Sequence, residues 1–138
     1  APDRLVTADT LANALYEYRI GEGGRLSDRR TLLQGFPRGL PDGSTLDAEG
    51  FVWTARVAGG ACLTRMAPDG RIDRVVDLPC SWPTSCAFGG PGLRTLYVTS
   101  ARFTLSPEHL ARNPQEGGLF ALGAGVAGLP THRFGAPA

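Results

Sequence analysis

The sequence predicts an all-β fold, a β-propeller of about three four-stranded blades, and three observations carry that expectation. Gly (19) and Pro (11) make up about a fifth of the 138 residues, above the roughly 12% of average usage, and they punctuate short apolar alternations instead of massing in one tract. Similar segments recur: Thr7, Thr54 and Thr99 occupy matching strands at steps of 47 and 45 residues, and Gly24-Arg25-Leu26 returns as Gly70-Arg71-Ile72 after 46. That period is the length of a four-stranded propeller blade. A single stretch carries helix signals.

Runs rich in β-branched and aromatic residues, bounded by turn formers, place strands at 4–8, 14–20, 29–33, 44–46, 51–56, 61–66, 72–78, 85–88, 95–100 and 118–122. The helix falls at 105–112, with Ser106 as N-cap and Pro107 at the first helical position, where its missing N–H costs nothing. The blade units run 1–38, 39–82 and 83–138 as one partial domain, and the first begins at what reads as a second strand. Propellers close with four to eight blades. The expectation is therefore that an amino-terminal half, or a second chain, completes the ring.

With 14 basic and 13 acidic residues the chain is nearly neutral, and its Arg29-Arg30 pair lacks the clustered Lys/Arg and interleaved aromatics of a nucleic-acid surface. Nucleic acid is not expected as a partner. No run approaches the roughly 20 apolar residues of a membrane span, so no membrane partner is expected either. Cys62, Cys80 and Cys86 are odd in number and form no C-x-x-C pair, which reads as buried free thiols in a cytoplasmic protein. No Gly-x-Ser-x-Gly elbow and no phosphate-cradling Gly loop appears. Serine hydrolase and nucleotide chemistry drop out.

The acidic residues divide by position along the blade. Asp47 and Glu49 lie in an Asp-x-x-Gly turn and Asp69 in a Pro-Asp-Gly turn on the face away from the tunnel mouth, where short acidic side chains hold turns through their own backbone. Asp42 precedes the innermost strand of its unit and points to the tunnel mouth. Its Pro41-Asp42-Gly43 triplet is also turn chemistry, so from the residues alone a turn and a ligand both stay open. Asp9, Thr84, Ser85 and Arg102 are further candidates for a substrate pocket on that face, with Trp82 a candidate stacking surface. The helix interrupts the last unit on the same face and is expected to form a partial lid. His109 and His132 read as surface histidines.

Several ordered motifs then carry a family resemblance over nearly the whole chain. The run Ala8-Asp9-Thr10-Leu11-Ala12-Asn13, the Pro41-Asp42-Gly43 and Asp47-Ala48-Glu49-Gly50 segment with Trp53, Pro68-Asp69-Gly70, Pro83-Thr84-Ser85-Cys86-Ala87-Phe88-Gly89-Gly90, Thr95 through Arg102 and Gly117-Gly118-Leu119-Phe120 resemble the carboxy-terminal half of the SMP-30/gluconolactonase/regucalcin family. The resemblance implies a six-bladed propeller that hydrolyses a sugar lactone with one divalent cation (Ca²⁺, Zn²⁺, Mn²⁺ or Mg²⁺). It implies for Asp42 the double role of metal ligand and catalytic proton acceptor. The family's other ligands, a glutamate and an asparagine, have no counterpart here, so this chain alone is expected to bind metal weakly. A non-catalytic metal- or protein-binding scaffold, or an inactive truncated fragment, is the alternative.

Overall fold

A computed structural model describes residues 3–131, and these form three antiparallel sheets with one short helix. The first sheet holds β1 (Arg4–Asp9), β2 (Ala14–Ile20) and β3 (Leu26–Gln34) in chain order. The second holds β4 (Leu40–Leu46), β5 (Val52–Val57), β6 (Cys62–Met66) and β7 (Ile72–Asp77). The third holds β8 (Pro83–Gly89), β9 (Thr95–Ser100) and β10 (Leu119–Gly123), and α1 (Pro107–Arg112) sits in the connection between its last two strands. The fold is all-β, as the scattered turn formers require.

All ten expected strands form, with shifts at their ends. The clearest differences are at β4 and β8, which begin at Leu40 and Pro83 and so take in residues the sequence placed just ahead of them. Both are edge strands, where a proline leaves no ladder donor missing, so Pro41 and Pro83 extend the strands. Among the described residues the first and last sheets have three strands, not four. After β10 the chain spends its next residues on the second sheet: Ala48 N–H donates to Ala127 O at 2.8 Å, and Asp47 pairs with Gly128 in an isolated bridge.

The middle sheet is covered on both faces, and its sequence shows why. Every residue of β5 and β6 is buried. By the two-residue alternation of a strand, Val52 turns to the first sheet and meets Leu15, Leu32 and Met66, while Trp53 and Ala55 turn to the third and meet Cys86, Leu96 and Val98. Trp53 is fully buried. At about 25 cal/mol per Å² the roughly 200 Å² of an indole is worth about 5 kcal/mol, so this residue anchors two sheets. Cys62, Cys80 and Cys86 are unpaired and buried, and burial pushes the Cys86 thiol up to about 12.

Asp47 does more than close its turn. It is fully buried, its Oδ1 accepts the Glu49 and Phe51 N–H groups at 3.0 Å, and its Oδ2 accepts Trp53 Nε1–H and Arg65 Nε–H at 2.9 Å. Arg65 also pairs with Glu49 and Asp73 and lies 3.8 Å from the centre of the Phe51 ring. Burial works against the Arg65 charge, but hydrogen bonds from it to Asp73, Glu49 and Asp47 outweigh that and raise its pKa above the ordinary arginine value. Asp69 holds a simple turn, its Oδ1 accepting Arg71 N–H at 3.0 Å.

Candidate functional site

Asp42 is aimed by a β-bulge. Pro41 pairs with Arg56 and Ser44 with Thr54, which leaves Asp42 and Gly43 together opposite Ala55. An extra residue on one strand bends it and redirects its side chains, a device common beside active sites. The third sheet repeats the irregularity at the same place, since Pro83 pairs with Ser100 and Ser85 with Thr99, leaving Thr84 over. Both innermost strands are therefore kinked at their entry.

The bulge turns Asp42 to a cleft of about 270 Å³ lined with Thr7 of β1, Thr10 of the turn after it and Ser44 from its own strand. The carboxylate is half-buried and no hydrogen bond or ion pair holds it among the described residues; its neighbour Ser44 bonds its backbone oxygen instead, at 3.5 Å. Burial pushes its pKa above the usual aspartate value. A carboxylate partly removed from water and left without a protein partner is kept at a cost that structure alone does not explain.

The other expected pocket residues fall at different depths. Ser85 is exposed and packs directly on Gly43, so it borders the bulge. Thr84 Oγ1 bonds Thr99 Oγ1 at 2.8 Å along the same sheet. Asp9 uses its Oδ1 to accept Ala12 N–H at 3.0 Å, an Asx turn closing the β1–β2 connection, and it does not line the cleft. Arg102 is exposed, with Nε–H donating to Glu116 O at 2.9 Å and its stem lying over Gly117. The helix contributes nothing to the cleft lining.

Three residues matter here that the sequence did not single out. Arg56 is 1% exposed with no carboxylate partner among the described residues; it donates to Asn13 Oδ1 at 2.6 Å and Gly39 O at 2.7 Å, tying the first sheet to the segment that leads into Asp42. Burial lowers its pKa from the ordinary arginine value. Its signal was faint: a lone arginine at the end of an apolar strand. Glu116 is buried and accepts Ser81 N–H, Ser81 Oγ–H and His109 Nε2. His109 thus lies against a buried carboxylate, only part of its ring in solvent. Phe103, two-thirds exposed, meets Trp82 edge-on at 5.6 Å between ring centres, a pairing that sequence separation hides. His132 lies outside the described residues.

A hard cation takes six or more oxygens. The described residues do not fit a complete site, because no three His, Cys, Asp or Glu side chains among them form a group that could hold a metal ion and Asp42 is the one carboxylate of its cleft.

The sequence and the three antiparallel sheets match a known class. Residues 2–102 match the model of the SMP-30/Gluconolactonase/LRE-like region, and the chain belongs to that family. It is 43% identical over 139 aligned residues to 6-deoxy-6-sulfogluconolactonase of Pseudomonas putida, covering 97% of this chain and 47% of that protein. Regucalcin of Oryctolagus cuniculus is 35% identical, with 91% and 43% covered. The crystal structure of a calcium-binding protein, regucalcin of Agrobacterium tumefaciens, superposes with a TM-score of 0.81 at 33% identity over 88% of this chain and 42% of that one. The chain spans about half the length of the curated relatives it matches. No helix among the described residues is long and apolar enough to cross a membrane.

Proposed function

We propose that the protein carrying this chain hydrolyses a sugar lactone, and that Asp42 is its proton-accepting carboxylate and one ligand of a divalent cation. The observation that carries the reading is Asp42 itself: half-buried, unpartnered, raised in pKa and turned by a bulge to a cleft rimmed with hydroxyls. A lactonase relative at 43% identity supports the reaction class, and a relative named as calcium-binding supports the cation. The complete molecule is proposed to be a six-bladed propeller, with the outer faces of the first and third sheets closed by further chain or a second copy.

In this reading Asp42 orients a water molecule and takes its proton as the water attacks the lactone carbonyl, after which the ring oxygen leaves as a hydroxyl and a carboxylate remains. A raised pKa brings the base nearer to neutral pH and increases its proton affinity. Thr7, Thr10 and Ser44 offer the sugar hydroxyls both donors and acceptors. A divalent cation, when bound, supplies polarisation of the carbonyl. Burial of Arg56 beneath the entry to β4 keeps Asp42 in place. The test is proton release from D-glucono-1,5-lactone in a weakly buffered assay, before and after EDTA and on return of Ca²⁺, Mn²⁺ or Zn²⁺. Metal-restored hydrolysis is expected; hydrolysis at the uncatalysed rate under every condition refutes the reading.

A further inference from the structure

A second cavity, of about 430 Å³, opens between the β7–β8 connection and the segment that follows α1. Its size falls within the range of small-molecule pockets. Leu78 and Ser81 line one side, and Arg112, Asn113, Gln115 and Glu116 the other; none of them lines the Asp42 cleft.

The lining groups divide into two chemistries. Glu116 is 3% exposed; its Oε1 accepts Ser81 Oγ–H at 2.6 Å and His109 Nε2 at 2.9 Å, while among the described residues Oε2 accepts only the Ser81 N–H, at 2.9 Å and shared with Oε1. Burial opposes its charge, but the bonds from Ser81 and His109 prevail and hold the carboxyl below its usual pKa, so it is an ionised acceptor at neutral pH. One Oε2 lone pair remains for a ligand hydroxyl. Arg112 is exposed, with Nε–H bonded to Glu108 O at 3.2 Å and its two Nη groups in no ion pair among the described residues. That fork matches a carboxylate. The Gln115 side chain makes no hydrogen bond among the described residues and offers both a donor and an acceptor.

We propose that this cavity binds a polyhydroxylated sugar acid, its hydroxyls on Glu116 and Gln115 and its carboxylate on Arg112. A neutral sugar leaves the guanidinium unused, and a simple carboxylic acid leaves the buried acceptor unused. The assignment rests on the lining and not on the role of Asp42, although the proposed reaction yields a product of this class.

The test is calorimetric titration of the protein that carries this chain with sodium D-gluconate in EDTA, which removes chelation of metal by the probe. Saturable binding is expected, weakened about tenfold in Arg112→Ala, as loss of a charge-assisted pair predicts, weakened several-fold in Gln115→Ala, and unchanged in Asp42→Asn. D-Glucose is expected to bind at least tenfold more weakly than gluconate. Absence of saturable binding, equal binding of glucose, or wild-type affinity in Arg112→Ala overturns the proposal. Loss of binding in Asp42→Asn also overturns it, because the acid then occupies the other cleft. Failure of lactone hydrolysis with gluconate binding intact sinks the proposed reaction alone.

Discussion

Ser85 of β8 packs directly on Gly43 of β4, in the space that a side chain at position 43 needs. The residue beside Asp42 is thereby restricted to glycine, and two neighbouring sheets meet backbone to side chain at the bulge. Substituting Gly43→Ala forces β8 away and costs about 1–3 kcal/mol, read from the midpoint of urea unfolding. Adding Ser85→Gly to Gly43→Ala recovers only part of that loss, because the backbone at position 85 also lies in the space of the new methyl; an unchanged midpoint in Gly43→Ala means the two positions do not touch.

Asp47 carries the opposite kind of burial, a charge with four donors around it. Its replacement by Ala strands the Trp53 indole N–H and uncovers the buried Arg65 charge, so a loss of roughly 3–5 kcal/mol is expected. Glu49, although paired with the same arginine, is 62% exposed on its side chain, and Glu49→Ala should cost under about 1 kcal/mol. Equal effects of the two substitutions in chemical denaturation would contradict the hub.

The two Pro-Asp-Gly triplets show how far the residues could be read. Pro68-Asp69-Gly70 is the turn its composition describes, with Gly70 at φ 94° and Asp69 bonded to the backbone two residues on. Pro41-Asp42-Gly43 is a bulged edge strand, because Gly43 must lie flat under Ser85 and the strand has no partner on its proline side among the described residues. Local chemistry is the same in both; neighbouring sheets decide between them. Strands and the helix cap were legible because alternation and capping are local, down to Ser106 accepting His109 N–H. The bulge at Asp42 and the contacts of Glu116 and Arg56 were not legible: the bulge depends on a neighbouring sheet, and the contacts reach partners 35 and 43 residues away in sequence.

Because burial raises the Asp42 pKa above its unfolded value, the folded protein holds that proton more tightly. Ionisation then disfavours the fold: the penalty is absent below the ordinary aspartate range, grows as pH rises, and is complete above the raised pKa. Asp42→Asn is expected to melt higher than wild type at pH 7 and level with it near pH 3, about a unit below the ordinary aspartate pKa. Scanning calorimetry at both values checks this, and a lower melting point at pH 7 contradicts it.

For Glu116 the sign reverses. Its folded-state pKa is lowered, so its contribution is present above the unfolded value and fades as pH falls through the folded one. Glu116→Gln should therefore lose more stability at neutral pH than in acid, and limited proteolysis should cut 101–118 sooner because Ser81 and His109 no longer hold that segment. Unchanged cleavage rates would show that the segment is held elsewhere.

The most direct trial compares Asp42→Asn with Asp9→Asn in metal-supplemented lactone hydrolysis by the protein that carries this chain. Asp9 belongs to a turn and Asp42 to the cleft. The expected result is a fall in kcat on the order of 10²–10⁴-fold for Asp42→Asn and a rate near wild type for Asp9→Asn. Wild-type turnover in Asp42→Asn would contradict the account.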